Sequence, residues 1–135
     1  MTESFFCAGK TVTLVEAVKQ VARRQPGCHI LATAPSNTAA DLLTERLIQH
    51  INKREIIRLH APSRLASSIP EKVKEVSNVN RDQFIFPKME ELMKYKIIVS
   101  TLVTAGRLAS AQFPDDHFTH IFVDEAGETT DSKMS

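Results

Sequence analysis

What this chain has little of sets its first limits. It has two cysteines, Cys7 and Cys28, among 135 residues. Two do not build a disulfide framework, and their spacing fits no zinc pattern, so both are expected as reduced thiols of an intracellular protein. No apolar run approaches the roughly eighteen residues a membrane span needs, so no membrane partner is expected. The N-terminal residues lack a basic stretch followed by an apolar one; no signal peptide is expected, and the cytoplasm is the default compartment. An excess of one charge is lacking as well. Seventeen basic and sixteen acidic residues leave a formal +1, which argues neither for nor against a nucleic-acid partner; any basic surface would have to be local. What is present, 42% hydrophobic and 24% charged residues, suits one soluble domain with one core.

Along the chain, apolar strands alternate with striped helices. Residues 10–24 have helical spacing, with Leu14, Val18, Val21 and Ala22 on one face and Glu16, Lys19, Gln20, Arg23 and Arg24 on the other. Pro26-Gly27 stops that helix. Residues 29–34 suit a buried parallel strand. Ser36 or Asn37 can cap the next helix, with Ala40, Leu43, Leu47 and Ile51 toward the core. Residues 55–59 predict a shorter strand, 61–68 a loop, 70–76 and 88–94 short helices, 96–101 a strand, 105–112 a helix and 119–123 a last strand. Residues 78–87 are ambiguous. The alternation predicts an α/β domain with a mainly parallel sheet. In such a sheet ligands bind outside the carboxyl ends of the strands. Ala34–Asn37, Ser100-Thr101, Asp124-Glu125 and the Gly9-Lys10-Thr11 turn would then converge on one crevice.

Two of these features have the chemistry of a nucleotide triphosphatase. Gly9-Lys10-Thr11 offers backbone N–H groups, an ammonium and a hydroxyl to phosphates and magnesium. Asp124-Glu125, after apolar Ile121-Phe122-Val123, offers a magnesium carboxylate and a base for the attacking water. Each has a plainer reading: an exposed lysine at a helix start, and two carboxylates capping a following helix. Glycine is missing where it would count most. A phosphate loop needs G-x-x-x-x-G-K-[ST], and Ser4 holds the place of the first glycine, with bulky Phe5 and Phe6 behind it. Ala34–Thr38 and Ser100-Thr101 to Arg107 carry hydroxyl and amide groups at strand-to-helix turns. These either hold a nucleic-acid phosphate or cap their own helices. His117 and His120 have metal-ligand spacing but no third ligand nearby. Phe84 and Phe86 alternate, as core residues or as stacking platforms.

At this level the residues resemble a known family. G-K-T-V-T-L-V-E-A-V (Gly9–Val18), A-P-S-N-T-A-A-D-L-L (Ala34–Leu43) and S-T-L-V-T-A-G-R-L (Ser100–Leu108) are similar to motif I, motif Ia and the next RNA-contacting motif of superfamily 1 RNA helicases. The run A-Q-F-P-D-D-H-F-T-H-I-F-V-D-E-A-G (Ala111–Gly127) resembles the Moloney leukaemia virus 10, or Armitage-type, branch. The resemblance spans residues 8–127. It implies an incomplete RecA-like P-loop NTPase domain, residues 9–127, lacking the strand before the phosphate loop. Residues 1–8 would be a divergent N-terminal segment and 128–135 a disordered tail. It further implies an ATP-dependent 5′–3′ RNA helicase of RNA silencing and mRNA decay, found in cytoplasmic granules such as P-bodies. ATP and Mg2+ would be its cofactors, and single-stranded RNA and RNA-silencing proteins its partners. Gly9 and Lys10 would bind the β- and γ-phosphates. Thr11 and Asp124 would hold magnesium, and Glu125 would activate water. Ser36, Asn37, Thr101 and Thr104 would touch the RNA backbone.

Several parts of the family pattern have no counterpart here. The family's loop reads G-P-P-G-T-G-K-T, and Ser4 to Ala8 replace its first five positions. Its long N-terminal region, motif III and second RecA-like domain, with the arginines that stabilise the transition state, are also without counterpart. Both ends are therefore expected to reflect an alternative transcript, a gene fragment or a misjoined frame. The isolated chain is expected neither to unwind RNA nor to hydrolyse ATP at a useful rate. Two other readings stand beside the enzyme. One is a module that binds RNA or a partner in competition with the full helicase. The other is a non-functional fragment whose missing central strand leaves the sheet interior unpaired.

Overall fold

The expected alternation of strands and helices is present in the computed structural model, which describes residues 3–4, 11–25, 27–60, 66–80, 83–85, 87–110 and 118–123. Helix α1 (Thr11–Arg24) buries Leu14, Val15, Val18 and Ala22, a stripe that recurs every three to four residues. Arg23 and Arg24 in its last turn suit the negative end of the helix dipole. On its solvent face, hydrogen bonds from Gln20 and Lys19 hold the Glu16 carboxyl below its ordinary range. After the turn, Cys28 is buried, and desolvation pushes its thiol up against the opposing pull of Lys96.

Strand β2 (Ile30–Ala34) is wholly buried, and α2 (Asn37–Leu47) turns Ala40, Leu43 and Leu47 inward. A 3-10 turn at Lys53–Glu55, capped by Asn52, leads into β3 (Ile56–Arg58). Short α3 (Glu71–Lys74) follows Pro70, a residue tolerated at a helix start. The ambiguous stretch resolves as an antiparallel hairpin of β4 (Val79–Asn80) and β5 (Gln83–Phe84). Then come α4 (Met89–Leu92), β6 (Ile97–Thr101), α5 (Leu102–Ser110) and β7 (His120–Val123). Helix α5 starts three residues before its expected position because Thr101 caps it.

The main sheet has the order β1-β7-β2-β6-β3, all pairings parallel, with β1 (Glu3–Ser4) at one edge. Side chains alternate across it with period two. Ile30, Ala32, Ala34, Ile56, Ile97, Val99 and Phe122 join Leu14, Val18, Leu43 and Leu47 in the larger core. Leu31, Ile57 and Ile98 face the other way, with Leu59, Leu92 and partly buried Tyr95, Ala105 and Phe118.

Ahead of α1 the two described residues of β1 pair with β7; the rest of the segment before Thr11 lies outside the described residues. The expected central gap is a correction: β7 lies between β1 and β2, and pairing runs unbroken across the described strands. The physical reason is general. A strand edge exposes N–H and C=O groups, and a short backbone segment of any sequence satisfies part of that row. Among the described residues no helix is long and apolar enough to cross a membrane. The expected tail at 128–135 lies outside the described residues.

Candidate phosphate and nucleic-acid interface

Parallel strands bring their carboxyl ends to one edge, and the register fixes which residues meet there. Ala34 of β2 stands opposite Thr101 of β6, and Thr33 stands opposite Val123 of β7. The Thr33 hydroxyl donates to the Phe122 carbonyl at 3.2 Å. At the opposite edge, Lys96 donates its Nζ to the Ala22 carbonyl at 3.4 Å. Lys96 immediately precedes β6, so the C-terminal turn of α1 lies at the amino end of the strands. A 14-residue helix is about 21 Å long, and a five-residue strand spans about 17 Å. Helix α1 therefore crosses the whole sheet, and its start at Thr11 reaches the carboxyl edge.

That start suits an anion. Its first turn holds no acidic residue, and the first N–H groups of a helix have no intrahelical acceptors. Thr11 opens the helix, and Val123, the last residue of β7, is followed in sequence by Asp124-Glu125. Gly9, Lys10, Asp124 and Glu125 themselves lie outside the described residues, as do the Thr11 side chain and His117. His120 is buried in β7 with Nδ1 at 2.9 Å from the Thr119 hydroxyl. Among the described residues no group of three or more His, Cys, Asp or Glu could hold a metal ion.

The turn from β2 into α2 is built around Ser36 and Asn37. Ser36 has extended backbone angles (φ −139°, ψ 162°), and its Oγ accepts from the Ala39 N–H at 3.2 Å. Both residues are exposed. Asn37, the first helical residue, is held from below. Arg58 at the end of β3 is fully buried, and its Nη2 donates to Asn37 Oδ1 at 3.1 Å. The same guanidinium gives its Nε to Asp41 Oδ1 at 3.1 Å and its Nη1 to the Leu59 carbonyl at 2.5 Å.

The turn from β6 into α5 uses the same device with a different result. The Thr101 Oγ1 accepts from the Thr104 N–H at 3.3 Å and lies 3.3 Å from the Thr104 hydroxyl. Thr101 is half-buried, but Thr104 is only 2% exposed. Ser100, also buried, gives its hydroxyl to the Thr101 carbonyl at 3.1 Å. Of the four residues expected at RNA, Ser36 and Asn37 are open to solvent, Thr101 partly so, and Thr104 sits beneath the turn. Exposed Leu102 and Val103 form the outer surface here.

Arg58 and Asp41 escaped the sequence reading. The signal was present. An arginine inside the apolar run Ile56-Ile57-Arg58-Leu59 breaks the pattern of a buried strand. Asp41, four residues after Asn37, shares its helix face. His60 is a further buried polar residue there. Its N–H donates to Asn78 Oδ1 at 2.8 Å, its carbonyl accepts from Asn78 Nδ2 at 3.3 Å, and its ring tilts against Phe84. That linkage ties the hairpin to the end of β3.

Comparison with known proteins points the same way as this geometry. A family model described as an AAA domain matches residues 6–90. A Danio rerio protein named as a helicase, mov-10-B.1, is 55% identical over 128 residues, covering 93% of this chain and 13% of that protein. The Gallus gallus protein named as the helicase MOV-10 is 46% identical over 125 residues, 91% of this chain and 13% of its own length. RNA helicase Mov10l1 of Homo sapiens is 34% identical over 125 residues, 91% of this chain and 10% of its own. The chain thus spans about an eighth or less of these relatives. An AAA-domain match over more than half its length shows that the chain belongs to the AAA domain family, and over nearly all of its length it is similar to MOV-10-type helicases.

Proposed function

We propose that this chain carries the nucleotide- and RNA-contacting edge of an RNA helicase motor domain, and that alone it binds single-stranded RNA without unwinding it. The observation that supports this most directly is the shared sheet edge. The start of α1, the Ser36-Asn37 turn, the Thr101 turn and the end of β7 all lie there. In this reading Gly9 and Lys10 hold the β- and γ-phosphates of ATP, and Thr11 and Asp124 hold magnesium. ATP with magnesium, when bound in a complete motor, would supply the phosphoryl bond whose hydrolysis drives strand movement. Glu125 would be the base for the attacking water in a complete motor. Ser36 and Asn37 donate to RNA phosphates, and half-buried Thr101, whose hydroxyl is given to Thr104, lies beside that path. Such contacts give affinity without reading bases.

The test is a pair of titrations of the full chain. A fluorescent ATP analogue with magnesium should bind saturably, and Lys10→Ala should abolish that binding. A labelled oligouridylate should bind with an affinity that falls as salt rises, with a slope of about −0.7 per phosphate neutralised by a lysine or arginine. Ser36→Ala combined with Asn37→Ala should lower the affinity at every salt concentration and leave the slope unchanged, because neutral groups release no counterion. Absence of RNA binding at low salt by a folded chain sinks the RNA reading. RNA-stimulated ATP turnover or unwinding by this chain alone sinks the statement that it binds without working.

A further inference from the structure

We infer that Arg58 is a positioning residue for the RNA contact made by Asn37, an inference that rests on the RNA-binding reading above. A wholly buried arginine needs an explanation. Removing a guanidinium from water is costly, and an apolar side chain of similar volume often stabilises as well or better. Here the charge is met by Asp41 at 3.1 Å and by the Leu59 carbonyl at 2.5 Å. Those two contacts offset part of the cost of burial and ask nothing of Asn37. Yet a third arm of the guanidinium reaches Asn37 Oδ1 at 3.1 Å and approaches the Asn37 carbonyl at 3.5 Å.

The chemistry of that contact is directional. An asparagine side chain has one acceptor and one two-proton donor on a single planar group. Arginine is only a donor, so it fixes Oδ1 inward. The Nδ2 donor is then left on the exposed side of the first residue of α2. An acceptor facing out would repel a phosphate; a donor facing out attracts one. Ordinarily an exposed asparagine samples both orientations and loses rotamer freedom when it binds. Arg58 has removed that freedom in advance. The planar fork matters as well as the charge. Asn37 and Asp41 lie one helical turn apart, and one guanidinium reaches both; an ammonium is a point charge that satisfies Asp41 without spanning to Asn37.

Arg58→Lys is therefore the discriminating substitution, because it keeps the charge beside Asp41. In wild type, the Asn37 side-chain amide should be as ordered as the backbone by heteronuclear NMR relaxation; in Arg58→Lys it should become mobile. Oligouridylate affinity should fall roughly tenfold in Arg58→Lys and equally in Asn37→Ala, the scale of one charge-assisted hydrogen bond. The double variant should be no weaker than Asn37→Ala alone. Losses that multiply would overturn the inference, because Arg58 would then act on stability rather than through Asn37. A mobile Asn37 amide in wild type would overturn it directly. If Arg58→Lys unfolds, Asn37→Ala decides, since residue 37 is exposed. The Arg58 guanidinium resonances should shift in that variant, and unchanged resonances overturn the inference. A wild-type chain with an ordered amide but no RNA affinity would instead sink the RNA reading, so the two failures are distinguishable.

Discussion

The two strand-to-helix turns at the carboxyl edge of the sheet use the same local device and present different surfaces. At each, a hydroxyl accepts the N–H three residues ahead: Ser36 from Ala39 and Thr101 from Thr104. In the first, the residue after the cap is exposed asparagine, braced from the interior by Arg58 and Asp41. In the second, the residues after the cap are exposed Leu102 and Val103, and the polar Thr104 is turned under the helix. The cap positions the backbone at both places. What lies beneath the helix decides which side chains reach solvent. At α2 a buried guanidinium holds one exposed polar group, Asn37, from below, whereas α5 spends its hydroxyls on itself.

That contrast should break most visibly at Asp41. Asp41→Ala leaves the Arg58 guanidinium buried without its carboxylate, and loss of one partner of a buried pair costs about 3–5 kcal/mol. Urea unfolding followed by circular dichroism should show a loss of this size. A loss below about 1 kcal/mol would mean that other groups carry the compensation, and the two turns would then differ less than described. Next in size is Thr101→Ala. It removes the cap of α5 and also the partner of the buried Thr104 hydroxyl, for a combined cost of about 2–3 kcal/mol. Ser36→Ala removes only a cap, whose neighbours are solvated, and should cost about 1 kcal/mol. Thermal melts of the two alanine variants side by side test the ranking. Equal losses would show that Thr104 has solvent to fall back on.

How much of this was legible in the sequence depends on the range of the interaction. The strands and long helices were legible because their patterns are local: an unbroken short apolar run in Ile97-Ile98-Val99, and three-to-four spacing in Leu14, Val18 and Ala22. The shared edge followed from parallel topology alone. Residues 78–87 were not legible as a hairpin, because their order depends on Asn78 bonding to His60 across the fold. The edge position of β1 was not legible either, since two residues carry no pattern and pair by backbone alone. In the candidate site, Ser36, Asn37 and Thr101 could be chosen by residue type and position. Their exposure could not. Whether a hydroxyl faces solvent or the interior depends on neighbours far away in sequence, and Thr104 shows it. Arg58 was visible only as an exception in an apolar run and Asp41 only by sharing a helix face with Asn37; no local pattern joins the two across seventeen residues.

The smallest effect is expected at Val103, and its smallness is informative. Val103 lies in the first turn of α5 and is 72% exposed, the most open of the large apolar side chains among the described residues. Truncation there removes little buried surface, so the hydrophobic loss is slight. A β-branched residue is also a poorer helix former than alanine, by up to about 0.7 kcal/mol. The two terms oppose, and Val103→Ala should leave stability within about 0.5 kcal/mol of wild type. A thermal melt resolves this against the larger losses above. A loss of 2 kcal/mol or more, the scale of core truncation, would mean that another part of the chain covers Val103 in solution. The carboxyl edge beside Thr101 would then be closed rather than open, and the RNA path past both turns would have to be redrawn through the Ser36-Asn37 turn alone.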